Sequence, residues 1–242
     1  MKGLALTFAL IVPMVQLAAQ APPTCSDVSF GALPSATFGG NGIPNSAVVQ
    51  RSCGGVTMGL AATPRFASPA LTNDGAGTYF AMTGQSEPLA NPARSLWNFS
   101  FDIQAEQGVN LSDYTFQLLY DMDPAVGNGS RGVLLDPFFS FDGPPRTGPN
   151  YQDSQNLGFS FLGSDLAGFI QAPTFTAFDP NANGTYNFTL EQYLGGQLLS
   201  SIDMTVVVGD GGADVVPEPA SMTLLATGLV GMAAARRRRR AV

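Results

Sequence analysis

From Trp97 to Gln104 the chain alternates without a break. Trp97, Phe99, Phe101 and Ile103 are apolar, while Asn98, Ser100, Asp102 and Gln104 are polar. Such a period places each set on its own face of a pleated strand, and a helix has no use for it. The pattern recurs at Tyr114, Phe116, Leu118 and Tyr120, then at Tyr186, Phe188 and Leu190. Gly195-Gly196 next offers a turn, and Leu198 to Val208 returns with Ile202, Met204, Val206 and Val208 on one face. Thr78–Met82, Gly132–Leu135, Phe138–Phe141 and Leu157–Leu162 are shorter strand candidates. Gly108–Leu111 lies at hairpin distance between the Trp97 and Tyr114 runs. Helix is expected only as one turn near Ser164–Ala167. The fold class that follows is all-β, an antiparallel β-sandwich of jelly-roll-like character.

Charge narrows what such a domain can do. Lys2 is the only lysine, and five of the ten arginines are the run Arg236–Arg240. Between Pro22 and Val216, five arginines stand against seventeen acids. A body this acidic is unsuited to neutralising phosphates, so nucleic acid is not an expected partner. The chain has no histidine. That removes Ser-His-Asp and Cys-His nucleophile systems and the usual general base. Carboxylate pairs and carboxylate-bound Ca²⁺ are what remain. Cys25 and Cys53 are the only cysteines, and an even count in an exported chain points to a disulfide.

Both ends carry signals of their own. Residues 1–21 have the form of a secretory signal peptide and its helix: Lys2, an apolar run from Leu4 to Val15, and Ala19-Gln20-Ala21 as a small-x-small cleavage pattern. The exported domain is expected over 22–208 and a flexible acidic linker over 209–216. The sorting-type tail is then 217–242. Pro217 and Pro219 hold Glu218 on a stiff, non-helical segment, because each lacks an N–H and restricts the residue before it. An uncharged stretch follows over 220–235, and Arg236, Arg237, Arg238, Arg239 and Arg240 close it. As a helix this short transmembrane stretch spans ~24 Å at ~1.5 Å per residue, less than the ~30 Å hydrocarbon core. The arginines act as a membrane stop on the cytoplasmic side, which places the body across the membrane.

Pro217-Glu218-Pro219, the short apolar helix and the terminal arginine cluster, in that order, resemble the PEP-CTERM sorting signal of Gram-negative bacteria. The resemblance implies recognition and removal of the tail by exosortase, an integral-membrane cysteine protease or transpeptidase. It also implies an inner-membrane intermediate, then a place at the cell surface or in an extracellular matrix with exopolysaccharide and biofilm. An ordinary tail anchor is the alternative. The resemblance covers only the tail and transfers no activity to the body.

Within the body, Asp121 and Asp123 end a strand as Asp-x-Asp, with Asp136 and Asp142 following. Such oxygen ligands suit Ca²⁺, and Asp-Pro equally favours a turn. No other cofactor or metal is expected. A jelly roll could bind carbohydrate through exposed aromatic faces, but Trp97, the sole tryptophan, falls on the apolar face of its strand. A carboxylate-based glycoside hydrolase would need two acids about 5–9.5 Å apart in a groove. The expectation is an exported protein without catalytic activity, with a carbohydrate- or Ca²⁺-binding module as the rival reading.

Overall fold

The computed structural model describes residues 23–38, 47–66, 70–87, 89–90, 93–125, 130–141 and 150–209. In chain order the strands begin with β1 (Ser29–Gly31), β2 (Val48–Cys53), β3 (Val56–Pro64), β4 (Thr72–Asn73) and β5 (Thr78–Ala81). Next are β6 (Gln85–Glu87), β7 (Arg94–Ser95), β8 (Trp97–Ala105), β9 (Tyr114–Asp121) and β10 (Arg131–Leu134). A short helix α1 (Asp136–Phe141) precedes β11 (Asn150–Gln155), β12 (Ile170–Gln171), β13 (Gly184–Leu194) and β14 (Gln197–Val208).

These strands form two large sheets. One has the order β1-β2-β3-β8-β11, the other β12-β10-β9-β13-β14-β5-β4, and β6 and β7 pair separately. Both two-residue hairpins, Gly54-Gly55 between β2 and β3 and Gly195-Gly196 between β13 and β14, have positive φ at both positions (61° and 77°; 58° and 79°). Glycine reaches that geometry without a Cβ penalty, and its twist matches the flanking strands.

The alternating runs supply the core. Trp97, Phe99, Phe101 and Ile103 on β8 are buried, as are Phe116, Leu118 and Tyr120 on β9 and Tyr186, Phe188 and Leu190 on β13. Phe99 stacks on Phe188 at 4.7 Å, and Trp97 meets Tyr186 at 5.6 Å. Such ring pairs contribute about 0.5–1.5 kcal/mol beyond the area they bury. The chain is therefore all-β, with two sheets packed as a sandwich.

The other face of β8 is also covered. Asn98, Ser100 and Asp102 are buried; around Asp102 the segment after β1 folds back over the five-stranded sheet, with Leu33 against Gly59. There Gln152 accepts hydrogen bonds from the Thr37 and Phe38 amides at 2.7 and 2.8 Å. Ala36 and Phe38 are buried beneath that clamp. Asp102 lies in register with Gly59 on one side and Gln152 on the other.

Four local expectations are corrected. Gly108–Leu111 is not part of a hairpin: β8 pairs with β3 and β11, whereas β9 pairs with β10 and β13, so this connection crosses between sheets. Phe138–Phe141 belongs to α1 rather than to a strand. Pro137 suits the first helical turn, where an N–H has no partner anyway, and Phe139 turns inward onto Phe101 at 5.1 Å. Leu157–Leu162 is a turn leading into a 3₁₀ segment, Ser160–Gly163. Ser164–Ala167 is not helical; Leu166 bridges to Ile170 instead. The sheets are also not wholly antiparallel, since β5 runs parallel to β14. β5 closes a short hairpin with β4, but no tight turn joins it to β14, so nothing local imposes an antiparallel pairing on that neighbour.

The expected signal helix (1–21) and the tail (217–242) lie outside the described residues. Among the described residues, no helix is long and apolar enough to cross a membrane.

Candidate functional site

The residues singled out in the sequence do not converge on one place. Pro217, Glu218, Pro219 and Arg236–Arg240 lie outside the described residues, as does Asp142. Cys25 and Cys53 are joined by a disulfide across a β-bridge, closing a loop with a sequence separation of 28. In the chain-entropy account such a closure contributes about 3–4 kcal/mol by restricting the unfolded chain.

Asp121 and Asp123 serve the backbone. Asp121 Oδ1 accepts the Asp123 amide at 2.9 Å, and Asp123 Oδ1 accepts the Ala125 amide at 3.0 Å. These are consecutive turns of the kind aspartate forms with the residue two positions on. Among the described residues no three His, Cys, Asp or Glu side chains are placed to hold a metal ion.

Two other acids have carboxyls raised above the usual range. Burial pushes Asp102 up from 3.8 to about 6. Burial also raises Asp136, opposed by a hydrogen bond from the Phe116 amide at 2.8 Å. Asp102 sits on the face of the five-stranded sheet turned away from its partner, while Asp136 is tied to β9 in the other sheet. They share no groove in which an acid and a base could flank a glycosidic bond.

Among the described residues, a concave feature lies at the side of the sandwich where the edge strands β11 and β12 converge. It is a cavity of about 560 Å³, lined by Phe138 from α1, Asp153–Gln155 from β11, Phe159 and Phe161 from the 3₁₀ region, and Leu166, Phe169 and Ile170. That size lies in the range of small-molecule sites, about 300–1,000 Å³. Phe159 and Phe161 stack at 5.5 Å and 24°, and Phe138 lies 6.2 Å from Phe161. The guanidiniums of Arg94 and Arg65 lie over the Phe159 ring at 4.8 and 5.4 Å.

Asn156 holds this wall in place. It is fully buried. Its Oδ1 accepts the Ser95 and Gly158 amides, both at 3.0 Å, while its Nδ2 donates to Ser95 O, Trp97 O and Asn98 Oδ1 at 3.2, 2.8 and 2.8 Å. Gly158 then passes so close to Ala93 that a Cβ there would overlap its carbonyl. The chain bends at this point and presents Phe159 and Phe161 to the cavity. The sequence reading missed both Asn156 and the pocket. The available signal was Asn156-Leu157-Gly158, a turn-forming trio at the start of the assumed strand Leu157–Leu162.

Comparison with known families adds one finding. Residues 215–240 match the PEP-CTERM protein-sorting motif. The chain carries a PEP-CTERM sorting signal. The PEP-CTERM match takes in Pro217, Glu218, Pro219 and all five arginines, and it supports sorting by exosortase. It begins seven positions beyond Val208, the last residue of β14. Neither the comparison with curated proteins nor that with solved structures gives a match, so nothing is transferred to the sandwich itself.

Proposed function

We propose that this PEP-CTERM protein is an exported β-sandwich of a Gram-negative bacterium. Exosortase cuts it from an inner-membrane intermediate and leaves its body at the cell surface or in the exopolysaccharide-rich biofilm matrix. The body has no catalytic activity of its own. The observation that carries this reading is the motif match over residues 215–240, directly after the last strand of a core-bearing domain. Physically, a short apolar helix stopped by arginines inside the cell is held only briefly. The two prolines keep the cleavage region extended, so a membrane enzyme can grip it. The acidic balance of the body keeps it soluble once it is released. The sugar-binding alternative gains nothing from Trp97, which is 2% exposed and packed in the core.

Replacing Pro217, Glu218 and Pro219 together by alanine tests the proposal. The variant is expected to remain in the inner membrane at full length, as seen by fractionation and immunoblotting. Unchanged delivery and unchanged final length would overturn it.

A further inference from the structure

From the chemistry of the cavity between β11 and β12, we infer that it is a binding site for an uncharged, planar aromatic small molecule. Its volume of about 560 Å³ accommodates a body of two or three fused rings. The phenylalanines present ring faces and edges, not merely apolar bulk. Phe159 and Phe161 already stack, with Phe138 tilted at 36° beside Phe161, so an inserted ring continues an existing array. Aromatic contacts of this type reward a ring over an aliphatic chain of equal area.

The polar side of the cavity decides against a sugar. Asp153 Oδ1 accepts the Ser154 amide and its Oδ2 accepts the Gln155 side-chain amide, each at 2.7 Å. The Ser154 hydroxyl is engaged by Ser100 and Asn98 at 3.0 and 2.9 Å. These groups are already committed to one another, whereas a saccharide needs many convergent donors and acceptors. Charge decides against an anion. No described lining residue is cationic, and the two guanidiniums over Phe159 are already engaged, Arg65 by Glu87 at 2.6 Å and Arg94 by the Gly158 carbonyl, while Asp153 contributes a carboxylate. The mouth is open as well: Phe161 is 38% and Leu166 50% exposed. Apolar surface held out in water beside a preformed cavity is the usual mark of a ligand site.

Calorimetric titration of the full-length protein in lipid nanodiscs, with empty nanodiscs as the blank, tests this with 2-naphthol as the probe. Saturable binding of one molecule per chain is expected. It should exceed that of the anion 2-naphthoate, of decanol and of maltotriose. Phe161→Ala is expected to weaken 2-naphthol binding about tenfold. Leu166→Glu, at a half-exposed position that leaves the core intact, should weaken it as well. Phe66→Ala, 83% exposed and outside the cavity, should leave it unchanged. The inference is overturned if 2-naphthol fails to saturate or is indifferent to both cavity variants. It is equally overturned if 2-naphthoate, decanol or maltotriose binds more tightly.

Discussion

Asp102→Asn is expected to stabilise the protein by about 2–3 kcal/mol at pH 8 and to leave it nearly unchanged at about pH 3. Asp102 is 0% exposed, and neither carboxylate oxygen has a hydrogen-bond partner. Its in-register neighbours, Gly59 and Gln152, carry no charge, and the covering segment contributes Leu33, Ala36 and Phe38. Ionising a carboxyl there means desolvating a charge with nothing to offset it. Burial accordingly raises its pKa from 3.8 to about 6.

The direction with pH follows from proton counts. Well below 3.8 the group is neutral in both the folded and the unfolded chain, and it contributes no penalty. As pH rises towards 6 the unfolded chain loses this proton first. The folded chain then holds more protons, so its stability falls. Above that window the penalty is complete. Asparagine stays neutral throughout, so urea midpoints of the two chains should separate between about pH 4 and pH 7 and run parallel above it. Equal stability at pH 8 would mean that water or a counter-charge reaches Asp102.

Asn156→Ala is expected to destabilise the protein by about 3–5 kcal/mol. One fully buried side chain here makes five hydrogen bonds that join β7, β8 and the turn at Gly158. Removing it takes the partner from the Ser95 and Gly158 amides and from Asn98 Oδ1 in a region where water is excluded, while the Trp97 carbonyl keeps the Ser95 hydroxyl at 2.6 Å. Each such group costs about 1–3 kcal/mol, and a water entering the vacated space recovers only part of that. The measurement is the urea midpoint of the variant, with Asn181→Ala on an exposed turn as the control. A loss below about 1 kcal/mol would show that the bend at Gly158 is held by something else.

These two residues also mark where sequence and structure part company. Alternation in β8, β9, β13 and β14 identified both the strands and their buried faces, since a one-residue slip would expose Phe99 or Phe188 to water. It did not identify partners. Gly108–Leu111 has the length of a hairpin loop, yet it carries the chain from one sheet to the other, and nothing local distinguishes the two cases. The polar face of β8 has the pattern of a solvated surface. At Asp102 its burial depends on a distant segment clamped through Gln152, which no window around Asp102 contains. Phe138–Phe141 and Leu157–Leu162 failed for another reason. Short apolar runs without alternation fit a strand, a turn or a helix equally well, and here Pro137 and Asn156 decide the outcome. The cavity was hidden by the same misassignment, because Phe159 and Phe161 face it only once the chain bends.

The tail was legible because its three parts must occur in order along the chain, with no tertiary context required. Mass spectrometry of the exported protein from wild-type and exosortase-deleted cells tests that central claim. A mature C-terminus within Pro217–Ser221 in the wild type, replaced by one at Val242 in the deletion strain, is the predicted result. A C-terminus at Val242 in both strains would contradict it.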